Sequence, residues 1–141
     1  MVEFVQEKSD FSNKYMVEVK DLKQHFPIKA GLMQRVVGYV KAVDGVSFTI
    51  ERGKTFGLVG ESGCGKTTVG KTILRLIGKT SGEVKFKGTD IFALHHEELR
   101  AMRPQMQIIF QDPFSSLSPR LPVSEIIGEA VKEHNIVPKN E

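Results

Sequence analysis

Residues Gly60–Thr68 read GESGCGKTT, and this stretch decides how the rest of the chain is read. It has the form G-x-x-x-x-G-K-[ST], with Gly60, Gly65 and Lys66 at the fixed positions and Thr67 closing it. The preceding run, Thr55–Val59, is short and apolar, as a buried strand would be. In the following stretch Val69, Ile73, Leu76 and Ile77 recur at i, i+4, i+7 and i+8, the spacing of one helix face. Strand, glycine-rich loop and helix in succession predict a phosphate-binding loop.

The residue types suit that chemistry. A triphosphate needs several donors converging on a small volume without side chains in the way. Glycines let the backbone wrap the phosphates and turn successive N–H groups inward. The free N–H groups at the helix start add a partial positive charge of roughly half a unit. Lys66 brings a full charge for the β- and γ-phosphates, and the Thr67 hydroxyl is a ligand for Mg²⁺. The candidate binding set is therefore Gly60, Glu61, Ser62, Gly63, Cys64, Gly65, Lys66, Thr67 and Thr68. The plain alternative is a glycine-rich turn between a strand and a helix, which the rarity of the four-position pattern and its flanking strand and helix argue against.

Composition narrows the class. The chain has 141 residues, enough for one domain with a real core. Its hydrophobic fraction is 40% and its charged fraction 26%, as in an ordinary soluble protein. Twenty Lys and Arg against seventeen Asp and Glu leave a formal charge of +3. That excess is small and dispersed, with no basic run interleaved with aromatics, so a nucleic-acid partner is not expected. The one cysteine, Cys64, lies inside the phosphate loop and has no internal disulfide partner, which fits a reducing compartment. It reads as a small residue tolerated in a tight loop. A sharper reading is a thiol activated by Lys66 and the helix start, whose oxidation would block nucleotide binding. No apolar stretch reaches the length of a membrane span, and the first ten residues, MVEFVQEKSD, lack a signal core.

Outward from the loop, residues 1 to 14 are polar and predicted to be a flexible terminus. Tyr15–Lys20 alternates, with Met16 out of phase, and reads as a strand that Phe26-Pro27 breaks. Ile28–Tyr39 carries two glycines with Lys29 and Arg35, and reads as a basic loop or loose hairpin. Val43–Ile50 is a second strand ending in a turn at Glu51–Gly53. Gly78 is the expected helix stop and Thr80–Gly82 a turn. Val84 and Phe86 mark a strand running to a turn at Gly88. His95–Met102 is a short charged helix ended by Pro104. Met106–Phe110 is an apolar strand, Ser115–Pro122 a loop, and Val123–Val131 an amphipathic helix. His95-His96 has no third ligand at metal spacing and reads as a solvated helix face.

Three motifs together carry a family resemblance: GESGCGKTT, then TSGEV at Thr80–Val84, then QIIFQDPFSSLSPR at Gln107–Arg120. They resemble the ATP-binding subunit of ABC transporters, and within it the oligopeptide/dipeptide importer class. The resemblance covers roughly residues 15 to 135. It implies an α/β P-loop NTPase of the ABC type, seen in its N-terminal portion, with an antiparallel β subdomain beside the phosphate-loop strand and helix. It implies ATP and Mg²⁺ as ligands, transmembrane permease subunits and a second ATP-binding subunit as partners, and a cytoplasmic location, peripheral on the inner face of the membrane. Gln111 matches the family's Q-loop glutamine, expected to reach Mg²⁺ or the attacking water and to link that site to the permease. With Lys66 it makes up the candidate catalytic set, and with Thr67 the candidate metal set. An aromatic stacking on adenine is expected from Tyr39, with Phe26 the alternative.

The family also requires an apolar strand ending in Asp-Glu (the Walker B strand), an LSGGQ signature and a late switch histidine. None is found in these 141 residues. Residues 15–141 thus read as a partial ABC-type domain, expected to bind ATP weakly and not to hydrolyse it. Such a piece is expected to expose apolar sheet surface and to self-associate. Two other readings stand beside this one. The first is a nucleotide-binding module that acts by association alone. The second is a different P-loop enzyme such as a small-molecule kinase or GTPase, against which IFQDP argues.

Overall fold

The computed structural model describes residues 14–111 and 117–133. The chain divides into two compact units, one up to His96 and one from Glu97. The expected flexible terminus lies outside the described residues except for Lys14. That residue is tied down: its Nζ lies 2.8 Å from Glu51, and its carbonyl accepts the Arg52 N–H at 3.2 Å.

The first unit is an antiparallel sheet with one helix against it. Strand β1 is Tyr15–Ala30, β2 Arg35–Glu51, β3 Ser81–Phe86 and β4 Thr89–Asp90, in the order β2-β1-β3-β4. This is the antiparallel β subdomain expected from the resemblance. Five irregularities interrupt the β1–β2 ladder, and three of them are single-residue bulges near the ends and middle of its Tyr15–His25 stretch. Met16, out of phase in the sequence, is the extra residue between the pairs Tyr15–Glu51 and Val17–Ile50. Gly45, at φ +85°, is extra between Leu22–Val46 and Lys23–Asp44. Ala42 is extra between Gln24–Val43 and His25–Lys41. Each is a bulge, which bends the ribbon and raises its twist.

Phe26-Pro27 does not end β1, contrary to the sequence expectation: Phe26 pairs with Val40 and Pro27 with Tyr39. Proline is tolerated because β3 pairs β1 only between Val17 and Lys23 and the His25 N–H goes to Thr80 Oγ1, so beyond His25 no described residue pairs with that edge of β1. The predicted basic loop is accordingly two strand arms joined by a four-residue turn, Gly31–Gln34. The predicted turn at Thr80–Gly82 is instead the start of β3, with Gly82 at φ +94°. A Cβ there would overlap the Asp21 carbonyl, so this crossing of β1 and β3 requires glycine. The turn at Gly88 holds: Lys87 and Gly88 are both at positive φ, the backbone of a tight two-residue hairpin.

The core consists of Val19, Leu22, Val43, Val69, Val84, Phe86 and Ile91, with Thr72 and Gln24 also buried. Helix α1, Lys66–Ile73, contributes Val69 and Thr72 to it. It is shorter than predicted and stops before Gly78. Arg75, at φ +49°, ends it: the Leu76 N–H donates to Lys71 O and the Arg75 N–H to Thr72 O, each at 2.9 Å. That pair of bonds is a Schellman cap with arginine where glycine is usual. Its guanidinium Nη1 donates to the carbonyls of Ile91 and Leu94, both at 2.8 Å, which holds the chain after β4 against the helix end. Because the helix stops early, Leu76 falls off the predicted face and is exposed.

Two predicted strands are not formed. Thr55–Val59 is an exposed segment without regular structure, with Val59 93% accessible. A strand exists only through its ladder, and none of the described residues pairs with this run. Its Phe56 instead stacks on Phe48 of β2, ring centroids 4.7 Å apart. In the second unit, Met106–Phe110 is likewise unpaired among the described residues, with Met106 half-buried and Gln107–Phe110 exposed. That unit holds the short helix α2, His96–Met102, a 3-10 turn at Arg103–Gln105 containing Pro104, and helix α3, Val123–Glu133. Val123 and Ile127, on the apolar face predicted for α3, are exposed.

Candidate nucleotide site

The loop between Gly60 and α1 shows why each of its glycines is needed. Gly60 sits under Cys64: a Cβ would lie 2.6 Å from its Sγ. Gly63 and Gly65 are at φ +82° and +96°, backbone that L side chains rarely adopt. Gly65 has a second constraint, since a Cβ would overlap the carbonyl oxygen of Ala42. The bulge in β2 thus presses a carbonyl against the N-cap of α1 and fixes where the helix begins. Nothing in the local sequence announces Ala42, because a bulge follows from the pairing register of β1 and β2.

The helix start has no side-chain cap. The first intrahelical bond runs from the Val69 N–H to Gly65 O, 2.9 Å. Gly65 offers no side-chain cap, and the first turn contains no acidic residue. The N–H groups preceding Val69 therefore keep their donor capacity and the positive end of the helix dipole. A helix start capped by Asp or Ser would have satisfied one of these donors internally.

Lys66 is turned back over the loop. Its Nζ donates to Gly60 O at 2.7 Å and to Glu61 O at 2.5 Å, and lies 3.4 Å from Cys64 Sγ. An ammonium has three protons, and each has an acceptor within the loop. The Cys64 N–H closes the turn onto Glu61 O at 3.3 Å. Glu61, Ser62, Gly63, Cys64 and Thr67 are exposed, while Gly65, Lys66 and Thr68 are half-buried. Thr68 supports the helix instead, its carbonyl accepting the Thr72 hydroxyl at 2.7 Å. Gly60–Thr68 thus form one continuous loop and helix start, closed on itself by Lys66 and the Cys64 N–H.

The other candidates stand apart from this set in the chain. Tyr39 lies on β2 three residues before Ala42, roughly 10 Å of strand. It pairs with Pro27, whereas Phe26 pairs with Val40, so the two aromatics project from opposite faces of the ribbon. One adenine can therefore stack on one of them and not on both. Tyr39 is 61% accessible and Phe26 39%. Gln111 is exposed in the second unit, and Asp112-Pro113 beside it lies outside the described residues. Beyond Ala42, His25 and Asp44 form a feature the sequence did not announce. His25 Nε2 is 3.0 Å from Asp44 Oδ1, and Lys41 is 3.2 Å from Oδ2. Hydrogen bonds from Lys41, then from His25, hold the Asp44 carboxyl below its ordinary range.

Comparison with known proteins bears on the family and the fold. The family described as ABC transporter matches residues 43–139. The chain belongs to the ABC transporter family. It is 52% identical over 122 residues to the oligopeptide transport ATP-binding protein AppF of Bacillus subtilis, covering 86% of this chain and 37% of that one. It is 48% identical over 126 residues to the peptidoglycan transport ATP-binding protein YejF of Agrobacterium fabrum, covering 89% and 23% respectively. It is 50% identical over 117 residues to the probable peptide ABC transporter ATP-binding protein y4tS of Sinorhizobium fredii, covering 83% and 33%. The chain therefore spans about a quarter to two-fifths of the length of these relatives. Among solved structures, CbiO1 of Clostridium perfringens, part of the ABC transporter complex CbiONQ, superposes with a TM-score of 0.56. That match has 22% identity and covers 85% of this chain and 50% of the other, a likeness of fold. The fold class read from the sequence, an ABC-type P-loop domain in its N-terminal portion, agrees with both comparisons. Among the described residues no helix is long and apolar enough to cross a membrane.

Proposed function

We propose that the chain binds Mg-ATP on Gly60–Thr68 and belongs to the energy-coupling ATP-binding subunit of an importer for oligopeptides or dipeptides. The observation that carries the ATP site is the uncapped start of α1 beneath a glycine loop over which Lys66 is folded. On binding, Lys66 exchanges the Gly60 and Glu61 carbonyls for β- and γ-phosphate oxygens. The N–H groups at the start of α1 take the remaining phosphate charge. Thr67 would hold Mg²⁺ with Gln111, and the ion would neutralise charge on the phosphates. Gln111 would connect that site to transmembrane permease subunits, with a second ATP-binding subunit completing the assembly on the cytoplasmic face of the membrane. Tyr39 is the proposed adenine platform, with Phe26 as the alternative. The peptide class rests on the names of the relatives, among which peptidoglycan transport also occurs.

These 141 residues carry no Asp-Glu strand and no signature sequence. On their own they bind ATP weakly and do not turn it over, since loss of base and positioning costs several powers of ten. In that form the chain is a nucleotide-binding module, the second reading. It also self-associates through exposed apolar segments such as Phe56–Val59. Calorimetry with Mg-ATP on the chain and on Lys66→Ala tests the site. Binding that the substitution abolishes supports it; equal binding in both overturns it. Robust hydrolysis by the pure chain would refute the catalytic part, and a monomer at every concentration by light scattering would refute self-association.

A further inference from the structure

Among the described residues, β1 beyond Lys23 is paired in the sheet with β2 alone, so residues 26–41 form a two-stranded ribbon that runs on past the sheet. Its side chains find no core: Phe26, Ile28, Val36, Val37, Tyr39 and Val40 are all exposed. The tip is more open still, with Leu32 fully accessible and Met33 78% accessible in a turn closed by the Gln34 N–H on Gly31 O, 3.1 Å. Turn tips are normally polar, because apolar side chains there gain nothing from folding. Lys29 and Arg35 flank this tip, Lys41 follows, and the sixteen residues from Phe26 to Lys41 contain no Asp or Glu. Lys41 is ion-paired with Asp44, so Lys29 and Arg35 are the flanking cations that matter.

We propose that the tip of this ribbon docks directly on an anionic lipid surface, with Leu32 and Met33 entering the headgroup–acyl boundary and Lys29 and Arg35 resting among the headgroups. An apolar point inside a cationic collar combines the two contributions that hold peripheral proteins on membranes, apolar burial and attraction to anionic lipid. The long stems of Lys29 and Arg35 lie along the apolar layer while their charges stay in the headgroup region. Reach is sufficient: six residues of strand put the tip about 20 Å beyond Phe26, enough for the apolar boundary to be reached while the sheet stays in water. A second copy of the chain is the weaker occupant, because tip-to-tip association would set Lys29 and Arg35 against their own copies without a counter-charge. The docking needs no nucleotide, so it stands or falls separately from the ATP site.

The test is co-sedimentation of the 141-residue chain with vesicles of phosphatidylglycerol and phosphatidylcholine, beside pure phosphatidylcholine vesicles. Binding is expected to the anionic vesicles, to weaken with added salt, and to be lost in Leu32→Asp/Met33→Asp. Lys29→Gln and Arg35→Gln should each weaken it about fivefold, the effect of removing one cation near an anionic surface. The chain has no tryptophan, so Leu32→Trp places a single reporter at the tip. Its emission should shift to the blue on anionic vesicles and be quenched by brominated lipid. Equal binding to neutral vesicles, no binding to anionic ones, or sedimentation with unshifted emission would each overturn the proposal. So would a concentration-dependent dimer that Leu32→Asp dissolves in the absence of vesicle binding, which would assign the ribbon to a second copy. Far-ultraviolet circular dichroism and Mg-ATP binding should be unchanged in the tip variants.

Discussion

The contact between the β2 bulge and the start of α1 can be measured by comparing two glycines. Gly63 and Gly65 are both at positive φ, and alanine at either must adopt left-handed backbone at about 1–2 kcal/mol. At Gly63 a Cβ would meet nothing within 4 Å. At Gly65 it would overlap the Ala42 carbonyl, and a backbone carbonyl cannot swing aside as a side chain can. Forcing an extra carbon into such a contact adds about 1–3 kcal/mol. Gly63→Ala should therefore lose about 1–2 kcal/mol and Gly65→Ala about 2–5. With a urea slope of about 1–3 kcal/mol per molar, the two midpoints should differ by roughly 1 M. Denaturation followed by circular dichroism reads that difference. Calorimetry should find Mg-ATP binding more impaired in Gly65→Ala, since moving the helix start misaligns its N–H groups. Equal midpoints and equal ATP affinity in the two variants would refute the argument that Ala42 fixes the phosphate loop.

Other expectations follow from the same structure. Leu22→Ala removes a fully buried side chain from the middle of β1 and should cost about 2–5 kcal/mol in chemical denaturation. At the helix cap, Arg75→Gly relieves left-handed strain while losing the Ile91 and Leu94 bonds, and Arg75→Ala loses the bonds without that relief. The alanine variant should be the less stable by about 1 kcal/mol. The lowered Asp44 carboxyl contributes stability that is present above its ordinary value of 3.8 and is lost as pH falls through its folded value. Acid titration of the chain should thus show a loss below about pH 4 that Asp44→Asn diminishes.

What was legible in the sequence were the features set by neighbouring residues. GESGCGKTT prescribes its own loop because positive φ at Gly63 and Gly65 is a local property, and the paired positive angles at Lys87 and Gly88 are likewise a two-residue matter. The alternation of Val17 and Val19, and of Val84 and Phe86, marked strands because one face of an antiparallel sheet is buried. Met16 was visibly out of phase, and it is a bulge. With the three motifs together, these features were enough for the fold class and the family.

Features that depend on distant partners were not legible. Thr55–Val59 and Met106–Phe110 have the composition of strands, yet a strand requires a ladder, and no described residue supplies one. Proline at position 27 reads as a breaker, but it is harmless on an edge with which no described residue pairs. Gly78 looked like the helix stop, whereas the cap at Arg75, whose guanidinium also reaches the distant Ile91 and Leu94 carbonyls, ends α1 earlier. Ala42 is an unremarkable alanine until the register of β1 against β2 makes it the extra residue and turns its carbonyl toward Gly65. The sequence by itself determined the glycine loop proposed to hold phosphate, since its motif resides in consecutive residues. Only the tertiary structure decided where that loop is anchored, because the anchor is a backbone carbonyl on a strand more than twenty residues away.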